Sequence, residues 1–374
     1  MRFSLIPGHT ALKTKLATNV DEGRVAHAQL FLGTDGAGLL PLAMAYAQYL
    51  FCESRANKDS CGECKSCQKV SSFNHPDLHF SFPFKTVAKK KETSQAYSAE
   101  WREQLVKSPY FNLQDWNERC DIGNSQPIIP AKEAKEISAK LSLKSFEGGS
   151  KVLIMWHAEM LNGSAANQLL KLIEEPPDGT VIILISDQHD QLIKTITSRT
   201  QLVKVSRISD EELTAFLIEK EGMDSARALS VVTLSEGSYI AALNHLGKDS
   251  HDLLYFNHFQ TWMRICYQKK VVEAFNWADT FSGIGREHQK QFLQYCLKMA
   301  RQCILGNYTA MQMVNLQGEE REFLNKFATF INHKNVIELT NEFNDAHYHI
   351  ERNANPKILF TDLSIKVIRL LRKQ

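Results

Sequence analysis

No stretch of this 374-residue chain is long and apolar enough to cross a bilayer; a run such as Val181–Ile185 suits a buried strand instead. Charge of one sign is also lacking. The 44 Lys and Arg residues stand against 42 Asp and Glu, leaving a net charge of +2, which excludes the global field of a nucleic-acid coat. The opening Met1-Arg-Phe-Ser-Leu-Ile-Pro7 has no apolar core of a secretory signal, so a cytoplasmic protein is expected. Internal repeats and low-complexity segments are missing, which excludes a solenoid. What remains is a globular composition, 43% hydrophobic and 23% charged, over a length that calls for two or three domains. The eight cysteines then read as metal ligands or core residues rather than disulfides.

A more telling absence lies inside a motif. Residues Gly33-Thr-Asp-Gly36-Ala-Gly38-Leu39-Leu40 keep the glycines of a phosphate-binding loop. That chemistry needs a Lys to reach the β- and γ-phosphates and a Ser or Thr to hold Mg²⁺, and leucines occupy both positions. Backbone N–H groups at a helix start attract anions unaided, but without those side chains a tight strand-to-helix turn is the expected role, with no tightly bound ATP. The partner element fails as well. A Walker B strand ends in an acidic pair; Lys151-Val-Leu-Ile-Met-Trp156-His157-Ala-Glu159 offers Trp156 and His157 instead. Imidazole can act as a base, yet with no metal ligand expected beside it His157 reads as an inert strand-end residue. Two independent losses argue against ATP hydrolysis by this chain.

Through residue 205 near-continuous apolar runs alternate with helical patterns, the signature of a parallel sheet covered on both faces. The expected strands are Ala28–Gly33, Leu78–Phe82, Lys151–Trp156, Val181–Ser186 and Gln201–Val205. Helices are expected over Leu39–Leu50, Pro130–Leu143 and Gly163–Glu175, the last ended by Pro176-Pro177. Two insertions interrupt the alternation. One is a cysteine cluster at 52–67. The other, about 83–127, is polar, carries Lys89-Lys90-Lys91 and scattered aromatics, and reads as a surface excursion with some helix. Ser209-Asp-Glu-Glu212 signals a helix start. The rest of the chain reads as helical, ending in a stripe of Leu359, Leu363, Val367 and Leu370.

Cys52, Cys61, Cys64 and Cys67 have the form C-x8-C-x2-C-x2-C. Four thiolates can close a tetrahedron on Zn²⁺, leaving no open position for catalysis, so a structural zinc is expected. An iron–sulfur cluster is the rival, but its Cys-Pro continuation is missing. Cys120, Cys266, Cys296 and Cys303 are isolated and read as core residues. Ser198-Arg199-Thr200 precedes the last strand. An Arg at a protein edge can stabilise charge on a neighbour's transferring phosphoryl group; on sequence physics alone it is an ordinary cation near a helix C-terminus.

These residues, taken in order, resemble the bacterial clamp-loader AAA+ subunits. The resemblance runs through His27-Ala-Gln-Leu-Phe-Leu-Gly33, the glycine loop, the four-cysteine insertion, His75-Pro-Asp77 and Gly149-Ser-Lys-Val152. It continues through Ala166-Asn-Gln-Leu-Leu-Lys171-Leu-Ile-Glu-Glu-Pro-Pro177 and Ser198-Arg199, and Asn353-Ala-Asn-Pro356 is similar to the family's collar. It implies an α/β AAA+ P-loop core with a five-stranded parallel sheet (1–206), a small helical lid (207–248) and an all-α collar for oligomerisation (249–374). It implies the zinc module, and Arg199 as a finger acting in trans on a neighbour's ATP. It implies a non-hydrolysing stator among gamma/tau and delta subunits in a hetero-pentamer. That complex would load a sliding clamp onto primer–template DNA. An active ATPase subunit and a stand-alone zinc-dependent DNA binder are the alternatives. The family's Ser-Arg-Cys triplet is Ser-Arg-Thr here, and the sensor-like stretch Ser235–Leu243 has no arginine.

Overall fold

The computed structural model describes residues 1–87, 92–122, 125–246, 251–308, 316 and 318–372; the lysines at 89–91 lie outside them. The chain divides into two compact units, the first built from Met1–Ile122 and Gln126–Leu243, the second from Asn244–Gln374.

The first unit opens with α1 (Thr10–Asp21), β1 (Ala28–Gly33), α2 (Leu39–Phe51), α3 (Lys65–Ser71) and β2 (Leu78–Ser81). Next come α4 (Ser98–Lys107), α5 (Leu113–Arg119), α6 (Ala131–Ser142), β3 (Lys151–Met155), α7 (Gly163–Glu174), β4 (Thr180–Ser186), α8 (Lys194–Thr197) and β5 (Gln201–Val205). The five strands pair in parallel in the order β2-β3-β4-β1-β5. Every residue of β3 and β4 is buried, as a central parallel strand with helices on both faces requires. All five expected strands are present, with ends shifted by at most one residue.

One face of the sheet carries α6 and α7, whose Ile137, Leu141, Leu169 and Ile173 pack on Leu153, Met155 and Leu184. The other carries α1, α2 and the segment expected to be a surface excursion. That segment does form helices, but its aromatics are core. Trp101 stacks on Phe82 at 4.1 Å, Trp116 meets both edge-on at 5.0–5.1 Å, and Trp116 Nε1 donates to Pro83 O at 2.8 Å. Buried aromatics supply large apolar area and specific ring geometry, so polar spacing on the outer faces of α4 and α5 had disguised an inner face. Asp77 of His75-Pro-Asp77 has a local task. Its carboxylate accepts Phe146 N at 2.8 Å, Glu147 N at 3.0 Å and Ser145 Oγ at 3.0 Å, fixing the loop that feeds β3.

The first unit closes with α9 (Asp210–Glu221), α10 (Ser225–Ser235) and most of α11 (Tyr239–Leu246), whose last three residues belong to the second. Ser209 caps α9, accepting Glu212 N. Glu212 in turn accepts His9 N and Thr10 N at 3.2 Å and Thr10 Oγ at 2.8 Å, so α9 is tied to the start of α1.

The second unit is all helix in its described residues: α12 (His251–Tyr267), α13 (Val271–Ser282), α14 (Arg286–Tyr308), α15 (Gly318–Phe327), α16 (Val336–Glu351) and α17 (Pro356–Leu370). Trp262, Trp277, Phe281, Phe292 and Phe360 form its centre, and Trp262 Nε1 donates to Ser364 Oγ at 2.8 Å. The stripe of α17 is buried at Leu363, Val367 and Leu370; Phe360 extends it.

Candidate functional site

The glycine loop is built as a tight turn and then filled. A Cβ on Gly33 would stand 2.2 Å from Val205 O, so glycine is required for β1 to lie against β5. Gly36 and Gly38 have φ of +80° and +81°, the left-handed region that side chains disfavour. Gly38 precedes α2, and Leu39 and Leu40, standing where Lys and Ser or Thr would, are 6% and 3% exposed.

Neighbours occupy the remaining space. Tyr239 N donates to Gly36 O at 2.9 Å, and Ser238 approaches so closely that a Cβ on Gly36 would lie 1.8 Å from its Oγ. Nε2 of His9 donates to Ala37 O at 2.7 Å. From the 83–127 segment, the Tyr110 ring lies against Gly38 and meets Tyr239 edge-on at 4.6 Å. Burial pushes the Tyr110 phenol well above its ordinary pKa, and its hydroxyl has no hydrogen-bond partner. The cavity left among Asp35, Gly38, Tyr110, Trp156 and His157 is about 30 Å³. Sites for small-molecule ligands run to hundreds of Å³, so this cavity is far smaller than such a site.

The acid-free strand end differs from its expectation. His157 has φ of +54°, and its ring meets Trp156 edge-on at 4.2 Å. Nδ1 lies 2.6 Å from Glu159 Oε1 and 3.7 Å from Asp187 Oδ1. Burial opposes a charged imidazole, but the carboxylates of Glu159, Asp187 and Asp35 together outweigh it and His157 is pushed up to about 9. Burial raises Asp187 to about 6, against the pull of His157. His157 is therefore not an isolated strand-end residue. Asp187, just past β4, was missed in the sequence; its only signal was an acid immediately after a buried strand.

Arg199 follows α8 on the surface. Its guanidinium is paired with Glu174 at the end of α7, and Nη1 donates to Thr195 O and Ser198 Oγ at 3.2 Å.

The four cysteines converge. Cys52 lies just past α2, Cys61 and Cys64 in the following loop, and Cys67 in the first turn of α3. Their sulfurs all lie within 4.8 Å of one another, with Cys52–Cys61 at 3.6 Å and Cys61–Cys67 at 3.9 Å. Four thiolates around a tetrahedral ion with metal–sulfur bonds near 2.3 Å would be about 3.8 Å apart. Backbone N–H groups of Cys61, Cys64 and Cys67 point at Cys52, Cys61 and Cys64 sulfurs at 3.3–3.4 Å. Those from Cys64 and Glu63 lower the Cys61 thiol to about 6. The group fits a metal ion. The isolated Cys266, Cys296 and Cys303 are buried core residues, and Cys120 is half-buried.

No helix among the described residues is long and apolar enough to cross a membrane. The sequence profile described as "DNA polymerase III, delta subunit" matches residues 8–209, more than half the chain. The Escherichia coli DNA polymerase III subunit delta' is 23% identical over 364 residues, 96% of this chain and 93% of its own length. The Bacillus subtilis delta' protein is 28% identical over 206 residues, 55% of this chain but only half of that protein. For the Haemophilus influenzae delta' protein the figures are 27% over 243 residues, 65% of this chain and 62% of that one. Parallel sheet, turned glycine loop and profile agree: this chain has an α/β core on a five-stranded parallel sheet and belongs to the DNA polymerase III delta-subunit family.

Proposed function

We propose that this chain is a non-hydrolysing clamp-loader subunit. The observation that carries this reading is the filled loop: leucines replace the catalytic residues, and Tyr110, Ser238 and Tyr239 occupy the space above them. Catalysis then belongs to the complex. Arg199 is the residue offered to an adjacent subunit's ATP, where such an arginine is worth about 10³–10⁵ in rate. Its partner Glu174 does not argue against this. Both side chains are partly exposed, at 38% and 46%, and an exposed pair contributes only about 0–1 kcal/mol, so exchange for a phosphate costs little.

The cysteine cluster would hold a structural Zn²⁺, fixing the loop between α2 and α3. Residues 207–248 would act as the lid and 249–374 as the collar; Val272 of α13 and Ile358 of α17, 73% and 70% exposed, offer apolar surface for it. Partners would be gamma/tau and delta subunits in a hetero-pentamer working in the cytoplasm, with the sliding clamp and primer–template DNA reached through the complex.

The test is the DNA-stimulated ATPase of a complex reconstituted with its partner subunits. Arg199→Ala is expected to lower the rate at one site by about 10³-fold or more with assembly intact, while Glu174→Gln leaves it unchanged. An Arg199→Ala complex with full rate at every site would refute the trans role.

A further inference from the structure

We propose that His157, Glu159 and Asp187 form a binding site for a divalent transition-metal cation that requires no nucleotide. His157 Nδ1 and one oxygen from each carboxylate lie within 4.8 Å of one another, a span that a small shift would close around an ion bonded at about 2.0–2.2 Å. Two neighbouring strand ends deliver them. β3 and β4 pair with Met155 opposite Leu184, so the residues just beyond both ends emerge side by side.

Two observations point to a cation as their partner. Glu159 has a side chain only 1% exposed, and its Oε2 has no hydrogen-bond partner; Asp187 Oδ1 has none either. Buried oxygens are almost always satisfied, and a bound ion or water is a standard reason for an exception. Asp35 lines the same cavity as His157 and Asp187, so three acidic side chains and one imidazole gather at these strand ends. The adjoining cavity of about 30 Å³, bordered by Asp35, His157 and Asp187, admits an ion with a water molecule and nothing larger. One nitrogen and two carboxylate donors suit Mn²⁺, Co²⁺ or Zn²⁺ better than Mg²⁺, which prefers oxygen ligands and retains its waters. A cation here would link the ends of β3 and β4 beside the filled loop, with side chains doing what a bound nucleotide cannot.

The experiment uses the full-length chain, zinc-replete so that the thiols are occupied, titrated with Mn²⁺ and followed by loss of the free-ion electron paramagnetic resonance signal. One saturable equivalent is expected without nucleotide, with a rise in thermal midpoint. Glu159→Gln and Asp187→Asn should each weaken binding by at least about tenfold while zinc content and circular dichroism stay native. Asp187 is the more exposed of the two at 22%, so its variant decides the matter if the Glu159 variant fails to fold. No saturable uptake by the native chain, or uptake unchanged in a folded Asp187→Asn protein, would overturn the proposal. Because the assay uses neither ATP nor partner subunits, its outcome is independent of the role of Arg199.

Discussion

The glycine loop and the cysteine cluster stand at opposite ends of α2, and they have kept opposite things. At the N-terminal end Gly36 and Gly38 hold the left-handed turn that a phosphate loop needs, while Leu39 and Leu40 replace its chemistry and Tyr110 and Tyr239 fill its space. At the C-terminal end all four sulfurs are retained within bonding range of one ion, and backbone N–H groups are aimed at three of them. A backbone shape can outlive its function when neighbouring side chains adopt it as a packing surface. A ligand set cannot, because a metal-binding thiol has no substitute contact to make.

The largest test of this contrast is at the cysteine end. Cys61→Ser, or chelation, should reduce bound zinc from near one equivalent to near none, since a missing ligand opens the tetrahedron. Limited proteolysis should then cut within 52–67 while the sheet persists. Full zinc content in the variant would show the ligand assignment to be wrong.

At the loop end the expected effects are smaller. Gly36→Ala places a Cβ on Ser238 at φ of +80° and should destabilise by about 2–4 kcal/mol. Gly23→Ala, at φ of +68° with open space around it, is the control, expected to cost about 1–2 kcal/mol. Equal losses in denaturant melts would mean that strain, not packing by Ser238, governs the loop. Tyr110→Phe removes a buried hydroxyl with no partner and should stabilise by about 1 kcal/mol; a loss of similar size would mean that the hydroxyl is satisfied in solution.

The smallest effect concerns the tie between α9 and α1. Burial opposes ionisation of Glu212, but the bonds from Thr10 and His9 hold its carboxyl below the ordinary 4.5. Its contribution is therefore present above pH 4.5 and lost as pH falls through the lower folded value. Glu212→Gln should cost about 1 kcal/mol at neutral pH, with the difference from native shrinking in acid. A pH-independent difference would assign the effect to packing.

What could be read from the sequence depended on distance along the chain. Runs such as Val181–Ile185 declare buried strands by composition, and four cysteines within sixteen positions declare a ligand set by spacing. Tyr110 lies more than seventy residues from Gly38, in a segment whose outer faces are polar, so nothing local reveals that it fills the loop. Its neighbours Trp101 and Trp116 were misread as surface residues for the same reason. The approach of Asp187 to His157 likewise arises only when β3 pairs with β4.

Equilibrium binding of Mg-ATP to the isolated chain tests most directly whether the nucleotide site is shut. No saturable binding is expected into the millimolar range, for the native protein and for Tyr110→Phe alike. Saturable, magnesium-dependent binding in the micromolar range would contradict it, because a loop filled by Tyr110, Ser238 and Tyr239 cannot also hold a nucleotide.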